Sequence, residues 1–263
     1  MQSFKFLLVA FLLFSLTFQS VYAQDNITMD IASVHTLKSS VLNEQRNILI
    51  HLPKNYQSSG KAYPVIYTLD GSGHINHVSV ATMMLSQFQK IPESIVVAIT
   101  NNQGTRRRDL GIERENFKKF IKEEIFSFVK TNYRTTEQRT LFGHSMAGFF
   151  TLDVLATMPD MFDHYIAASP AIGVKSSVFP KLIKLFSENK SLNKRLYFSL
   201  GSKAAEGENS HIALNNLTTL LKENAPASFN WHYQPMPFQI HMTTPYLTLY
   251  DGLSFVNEGN EAD

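Results

Sequence analysis

The 263-residue chain contains no cysteine. A disulfide framework, a zinc site built on thiolates and lipid attachment through a cysteine are therefore excluded. The histidines also lack the H-E-x-x-H spacing or another metal-ligand pattern, so no metal and no other cofactor is predicted. A chain without disulfides or a structural metal has to be stabilised by its hydrophobic core. This chain is long enough to form one large domain with such a core.

The sequence also has little net charge. It carries 24 Lys and Arg residues against 22 Asp and Glu residues, a formal charge of +2. No overall attraction to nucleic acid or to an acidic membrane is implied, so neither is a predicted partner. The one dense basic cluster, Arg106–Arg108, needs a local explanation.

Long apolar runs are absent after the N-terminal segment. Residues 1–23 have the features of a secretory signal: one lysine, a short apolar core over 6–16 and small residues before a cut after Ala23. The core is short for a membrane span, although an uncleaved anchor is an alternative. The mature chain, 24–263, is predicted to be a single domain in the bacterial periplasm or outside the cell.

Apolar runs of strand length alternate with segments of helical periodicity along the mature chain. The candidate strands are Ile48–Leu52, Val65–Leu69, Ile95–Ile99, Thr140–Phe142, Tyr165–Ala168, Leu196–Leu200 and Phe229–Tyr233. The middle strands are apolar on both faces, as is typical of parallel strands covered by helices. The pattern predicts an α/β fold with a mostly parallel sheet and helices on both faces.

Residues 143–148, Gly-His-Ser-Met-Ala-Gly, approximate the G-x-S-x-G pattern and lie between a candidate strand and a helical run. Strand, sharp turn and helix are the context of a nucleophile elbow, in which the serine is exposed at the carboxyl edge of a sheet. Ser145 is therefore predicted to be a catalytic nucleophile, and the amide of Met146 to face a developing oxyanion. A glycine-rich turn with an ordinary serine is the alternative.

The partners of this serine should follow later strands, because functional groups in open α/β sheets gather at the carboxyl ends of strands. In hydrolases of this kind the chain order is serine, acid, histidine. His241 follows the last candidate strand and is predicted to be the general base, titrating at roughly pH 6 to 7. His211 is the alternative base.

The acid should lie in the loop after the strand that ends at Leu200. That loop offers two carboxylates, Glu206 and Glu208. Either could orient His241 and stabilise its imidazolium form. Glu206 is preferred, Glu208 is the alternative, and a serine–histidine dyad without an acid stays open.

A second oxyanion donor should come from the loop after an earlier strand. The stretch Asp70–Gly73 is rich in glycine and can turn its amides towards a substrate, so the amide of Ser72 is predicted to pair with that of Met146. A simple turn is the other interpretation of Asp-Gly. His74 and His77 follow and could line the acyl pocket.

The basic cluster Arg106–Arg108 also follows a strand end and should border the cleft. A guanidinium can bind a carboxylate or catecholate with two parallel hydrogen bonds. Arg106 or Arg108 is therefore predicted to contact the substrate. The alternative is that Arg108 and Asp109 pair and brace the loop.

Several segments, taken in their order along the chain, resemble the "putative esterase" family of α/β-hydrolases. That family includes the enterobactin-type trilactone esterases, which act on siderophores. They are Tyr67–Gly71, Arg106–Leu110, the elbow, His241–Pro245 and Tyr250–Leu253. The resemblance implies a serine esterase of the α/β-hydrolase fold, with Ser145 as nucleophile and His241 as base. It also implies a second oxyanion amide just after Asp-Gly, in agreement with Ser72.

The resemblance does not define a substrate, since mycolyltransferases and feruloyl or acetylxylan esterases are similar at the elbow. The spacing of the two glutamates and the segment Ala171–Gly173, which lacks the aromatic often found there, depart from the family pattern. The sequence predicts a serine hydrolase that cleaves a small-molecule ester through an acyl-enzyme. An acyltransferase with the same site and a catalytically silent binding protein are alternatives, and the oligomeric state is open.

Overall fold

Eight strands form one sheet in the computed structural model, which describes residues 30–259 and therefore not the predicted signal segment 1–23. The strands are β1 Ser33–Ser39, β2 Glu44–His51, β3 Tyr63–Thr68, β4 Ile95–Ile99, β5 Thr135–His144, β6 His164–Ala168, β7 Arg195–Leu200 and β8 Asn230–Pro235. Their order is β1-β2-β4-β3-β5-β6-β7-β8. β1 pairs antiparallel with β2, β2 pairs antiparallel with β4, and all other pairs are parallel. The predicted mostly parallel sheet is confirmed.

Strand β1 is missing from the predicted set, and β5 is longer than predicted. β1 lies at the sheet edge, and its residues are mostly exposed or half-buried, so it carries little of the apolar signal that marks a central strand. The first half of β5, Thr135–Arg139, is polar and only partly buried, whereas its second half is buried. Both errors arise because the apolar pattern reports burial and not strand pairing.

Helices cover both faces of the sheet. They are α1 Tyr56–Ser59, α2 Gly71–Gln87, α3 Arg114–Phe120, α4 Phe126–Asn132, α5 Met146–Thr157, α6 Val178–Glu188, α7 Lys203–Glu206, α8 Glu208–Asn224 and α9 Thr244–Val256. Alternate strand residues face opposite ways, as the period of two requires. Ile66 and Phe142 pack on one face with α2 and α9, while Tyr67 and Leu141 pack on the other with α3 to α6 and α8.

Residues 31–259 belong to one compact unit. Within residues 30–259, no helix combines the length and the apolar character that crossing a membrane requires. Because the central strands are parallel, their carboxyl ends lie at one edge of the sheet. The segments that follow β3, β5, β6, β7 and β8 meet at this edge, and all the predicted triad and oxyanion residues lie on them.

Candidate active site

Ser145 occupies a sharp turn between β5 and α5. Its backbone angles are φ 60° and ψ −118°, a region that residues other than glycine rarely adopt, and the helix begins at the next residue. Gly143 makes the turn possible, because a Cβ there would collide with the carbonyl of Ala147 and lie 2.6 Å from Oγ1 of Thr151. Strain of this kind is found mainly at functional positions.

The elbow departs from the G-x-S-x-G pattern at its last position. Ala147 stands where the second glycine is expected, and Gly148 follows it. The methyl group of Ala147 is completely buried beneath the turn. A Cβ on Gly148 would lie only 3.0 Å from the carbonyl oxygen of Ala168 and from Cα of Pro170. The strand–turn–helix geometry is therefore kept. The glycine that allows the helix to pack closely against the segment after β6 is Gly148, one residue later than the pattern expects.

His241 lies on the segment between β8 and α9, beside Glu206 at the end of α7. Its Nδ1 is 2.8 Å from Oε2 of Glu206. An ionised carboxylate only accepts hydrogen bonds, so Nδ1 carries the proton and Nε2 is left bare. The hydrogen bond with Glu206 raises the pKa of His241, and this effect outweighs burial and the positive charge of Arg106, which both lower it.

Glu206 has a second partner on its other oxygen. The hydroxyl of Ser169, directly after β6, donates a 2.7 Å hydrogen bond to Oε1. Burial raises the pKa of Glu206, but the hydrogen bonds from His241 and Ser169 outweigh burial, so the pKa is lowered and the carboxylate stays ionised. Gly201 leaves room for this carboxylate, since a Cβ there would lie 2.9 Å from Oε1.

Ser169 and Gly201 are not among the predicted site residues. Each follows the last residue of a parallel strand, Ser169 after β6 and Gly201 after β7. That position is the signal that could have found them, because strand ends converge at this edge of the sheet.

The alternative acid and the alternative base lie elsewhere. Glu208 begins α8, has a side chain that is 59% exposed and pairs with Lys203. His211 lies one turn further along α8, and its buried Nε2 has no hydrogen-bond partner in the described structure. Within residues 30–259, neither forms a hydrogen bond with His241. The contact with His241 therefore distinguishes Glu206 from Glu208, which sequence spacing does not.

The predicted base, His241, lies against His144, the residue that precedes Ser145. The rings of His144 and His241 have centroids 4.6 Å apart. In the part of the chain that the structure describes, the ring of His241 is hydrogen-bonded to Glu206 and not to Ser145. Catalytic hydrogen bonds in substrate-free sites are often long and tighten only when substrate binds.

The predicted oxyanion amides lie at the N-termini of two helices. Met146 is the first residue of α5, and Ser72 is the second residue of α2 rather than part of a loop as predicted. Gly71 allows α2 to begin directly against β4, because a Cβ there would be 2.7 Å from the carbonyl carbon of Ala98. First-turn amides lack intrahelical partners and carry the positive end of the helix dipole, so both can stabilise an anion.

Asp70 secures the start of α2. It adopts a left-handed conformation with φ 52°, and its carboxylate does not cap the helix. The two oxygens instead accept hydrogen bonds from Nε and Nη2 of Arg106, both at 2.7 Å, and Oδ1 also accepts one from Asn101. This two-point ion pair is a strong and directional contact, and it joins the predicted oxyanion segment to the basic cluster.

Arg106 and Arg108 are engaged differently. Arg108 donates to Glu44 through both terminal nitrogens and to Asp109 through Nε at 2.7 Å, as in the loop-brace alternative. Asp109 is itself paired with the buried Arg46. Arg106 has a side chain that is 41% exposed, and its Nη1 makes no hydrogen bond within residues 30–259. Of the two, only Arg106 therefore keeps a guanidinium nitrogen without a hydrogen bond within residues 30–259.

His74 and His77 lie on α2, close to His144. Their ring centroids are 4.9 Å apart, and that of His74 is 6.1 Å from that of His144. Burial lowers the pKa of both rings, that of His77 to about 4, so both are neutral near pH 7. No group of three His, Asp or Glu side chains in the described part of the chain is arranged to hold a metal ion.

A sequence profile of the family described as "Putative esterase" matches residues 39–236. Among curated proteins, the ferri-bacillibactin esterase BesA of Bacillus subtilis is 29% identical over 157 residues, which are 51% of this chain and 54% of that protein. The chain therefore spans about half the length of the curated relatives that it matches first.

Solved structures show the same fold. An IroE-like serine hydrolase from Shewanella oneidensis superposes with a TM-score of 0.76 at 24% identity, covering 85% of this chain and 79% of that one. The siderophore hydrolase EstA from Aspergillus nidulans superposes with a TM-score of 0.73 at 20% identity, covering 90% and 98%. Similarity at this level concerns the fold alone, and it confirms the predicted α/β-hydrolase fold.

Proposed function

Because the chain belongs to the "Putative esterase" family, we propose that it is a serine carboxylic-ester hydrolase that works through an acyl-enzyme. The observation that carries this proposal is the 2.8 Å hydrogen bond between Glu206 and His241 at the sheet edge where Ser145 occupies a strained elbow. An acid that orients the histidine next to a serine is the arrangement of a catalytic triad, whatever the fold that supplies it.

In the acylation step, Oγ of Ser145 attacks the ester carbonyl while its proton passes to Nε2 of His241. The negative charge that develops on the carbonyl oxygen is held by the amides of Ser72 and Met146. Glu206 stabilises the imidazolium that forms. The bond to the leaving alcohol then breaks, and Nε2 returns the proton to the departing oxygen. The acyl group stays on Ser145.

Water completes the cycle. His241 takes a proton from the water molecule as its oxygen attacks the acyl-enzyme carbonyl, and the same two amides hold the second oxyanion. The bond to Oγ of Ser145 breaks, Nε2 returns the proton to Ser145, and the carboxylic acid leaves. Each proton that is removed is given back, so the protein is unchanged after one turnover.

We propose a siderophore-type ester with catecholate or other anionic groups as the substrate. The names of BesA and EstA describe those proteins as acting on siderophores. In this chain the proposal is supported by Arg106, whose half-exposed guanidinium lies within electrostatic reach of His241. A guanidinium is suited to bind paired oxygens, such as those of a catecholate or a carboxylate.

Hydrolysis of p-nitrophenyl esters of several chain lengths, measured beside a catecholate trilactone, tests the function and the substrate together. The trilactone should be cleaved with the higher kcat/KM, and a fluorophosphonate probe should label Ser145. Good turnover of simple esters without cleavage of the trilactone would leave the esterase proposal standing and remove the siderophore substrate. If neither turnover nor labelling occurs, the chain is a catalytically silent binding protein.

The value of kcat/KM should rise with pH in a single step, and the midpoint of that step should lie above the ordinary histidine pKa of about 6.5. The reason is that only neutral His241 can accept a proton, and its pKa is raised by Glu206. The raised pKa thus moves the midpoint away from the lower end of the range predicted from the sequence. A rate profile on a neutral ester from pH 5 to 9 measures it, and a midpoint below 6 would contradict the pairing.

Replacing Arg106 with alanine should raise KM for an anionic or catecholate ester ten- to a hundredfold more than KM for a neutral short-chain ester. A hydrogen bond to a charged group contributes roughly 1.5–3 kcal/mol. The neutral ester corrects for any displacement of Asp70, since that would affect both substrates. Arg108→Ala is the matched control and should change both KM values by the same factor, because its nitrogens are bound to Glu44 and Asp109. Equal factors in Arg106→Ala as well would remove the anion-binding role.

A further inference from the structure

His144 connects the elbow to the segment that carries the base. It is the last residue of β5, directly before Ser145, and only 7% of its surface is exposed. Its Nε2 lies 2.8 Å from the main-chain carbonyl oxygen of His241. The two rings are also tilted by 43° to each other, with centroids 4.6 Å apart. One side chain thus spans from the nucleophile's strand to the main chain of the base.

The direction of this hydrogen bond defines the state of the His144 ring. A carbonyl oxygen can only accept, so Nε2 must carry the proton, and in the neutral ring Nδ1 is bare. Burial, together with the charge of His241, lowers the pKa of His144 to about 4, so the ring is neutral near pH 7. His144 therefore neither competes with His241 for the serine proton nor carries a charge that would disturb it.

We propose that His144 is a positioning residue, whose Nε2–H holds the main chain of His241 at the correct distance from Ser145; this inference rests on the proposed function. The carbonyl of His241 accepts a second hydrogen bond, 2.9 Å long, from Oγ1 of Thr244. Thr244 lies on the base's own segment, and the other partner of its hydroxyl is Ser169, directly after β6, so this hydroxyl does not contact the elbow's strand. His144 lies on β5, the elbow's own strand, so its hydrogen bond links the elbow directly to the main chain of His241.

The need for such a connection follows from the architecture. His241 and Ser145 lie on segments that follow different strands, and the hydrogen bond between Glu206 and His241 orients the ring without relating it to the serine. A displacement of about 1 Å between reacting groups can cost about a hundredfold in rate. A short contact between residue 144 and residue 241 removes that freedom.

Two amide variants separate the hydrogen bond from the ring. The side-chain nitrogen of glutamine lies the same number of bonds from the backbone as Nε2 of histidine, whereas that of asparagine corresponds to Nδ1. His144→Gln should therefore keep kcat within about threefold of the wild type. His144→Asn should lower kcat by roughly ten- to a hundredfold, with KM for p-nitrophenyl acetate changed less than about threefold.

Thermal midpoints for both variants show whether they remain folded. A purely structural role would lower stability in both and would not separate kcat from KM. Equal kcat values for folded His144→Gln and His144→Asn would overturn the proposal.

A measurement on the intact protein decides the matter even if a variant does not fold. Nitrogen-15 spectra of the histidine-labelled wild type should show His144 with its proton on Nε2 and a bare Nδ1 from pH 6 to 8. A proton on Nδ1 would overturn the inference, because the contact with the carbonyl of His241 could not then form. Loss of activity in Ser145→Ala tests the proposed function separately, so the failure of one can be told from the failure of the other.

Discussion

Replacing Ser145 with alanine is expected to abolish ester hydrolysis while the fold is retained. Ser145 is half-buried at the elbow, and removing its hydroxyl takes away the atom that forms the acyl-enzyme. Loss of the nucleophile in a comparable triad lowers kcat by about 10⁶-fold. Turnover of p-nitrophenyl acetate by the purified variant, together with its circular dichroism spectrum and melting temperature, measures the effect.

Ser187→Ala provides the matched control. Ser187 is an exposed serine on α6, and its hydroxyl bonds only to the carbonyl of Lys184 within residues 30–259. This variant should hydrolyse the same ester at the wild-type rate and be labelled by a fluorophosphonate, whereas Ser145→Ala should not be labelled. Near-normal turnover by well-folded Ser145→Ala would remove the nucleophile assignment and with it the acyl-enzyme mechanism.

The second large effect is expected from Glu206→Gln. The amide keeps the size of the side chain but loses the charge that stabilises protonated His241, and it can also donate to Nδ1 and so hold the wrong tautomer. The comparable change in a serine protease triad lowers kcat by about 10⁴-fold. We expect a loss of this order in kcat for p-nitrophenyl acetate.

The remaining activity of Glu206→Gln should have a shifted pH profile. The hydrogen bond that His241 donates to Glu206 is the main cause of the raised pKa of His241, so its loss should move the rising limb to lower pH. Buried, uncharged surroundings lower the pKa of a histidine further. A limb that stays at the wild-type position would mean that another group sets the titration of the base.

Glu208→Gln is the control for this experiment. Glu208 is exposed and pairs with Lys203, and such surface ion pairs contribute about 0–1 kcal/mol to stability. Its replacement should therefore leave kcat within about twofold of the wild type. The reverse ranking of the two variants would assign the acid role to Glu208, and two mild effects would favour a serine–histidine dyad.

The proposed nucleophile and base could be predicted from the sequence, because the first is marked by its neighbours in the chain and the second by its order along the chain. Ser145 is marked by the strand, turn and helix around it, and His241 by its place after the last strand. The departure at Ala147 did not hide the elbow, because the glycine that the turn requires most, Gly143, is present. The export predicted from residues 1–23 stays a prediction, since that segment lies outside the described residues.

The sequence could not decide between two candidate residues of the same type in the same loop. Glu206 and Glu208 are two residues apart in the same loop and have the same chemistry, so their spacing cannot rank them. In the folded chain Glu206 meets a residue 35 positions away, while Glu208 turns towards Lys203. The same holds for the two arginines, because Arg108 is bound by Glu44, 64 positions earlier, and Arg106 by Asp70, 36 positions earlier.

The sequence by itself determined the α/β architecture, the elbow and the chain order of serine, acid and histidine, because apolar periodicity and turn chemistry act over a few residues. Only the tertiary structure decided which glutamate contacts His241, which of Arg106 and Arg108 keeps a guanidinium nitrogen without a hydrogen bond in the described residues, and that His144 reaches the main chain of His241. Those contacts exist only where the carboxyl ends of the six parallel strands are brought to one edge of the sheet. Their free energies depend on distance and burial, which no local pattern records.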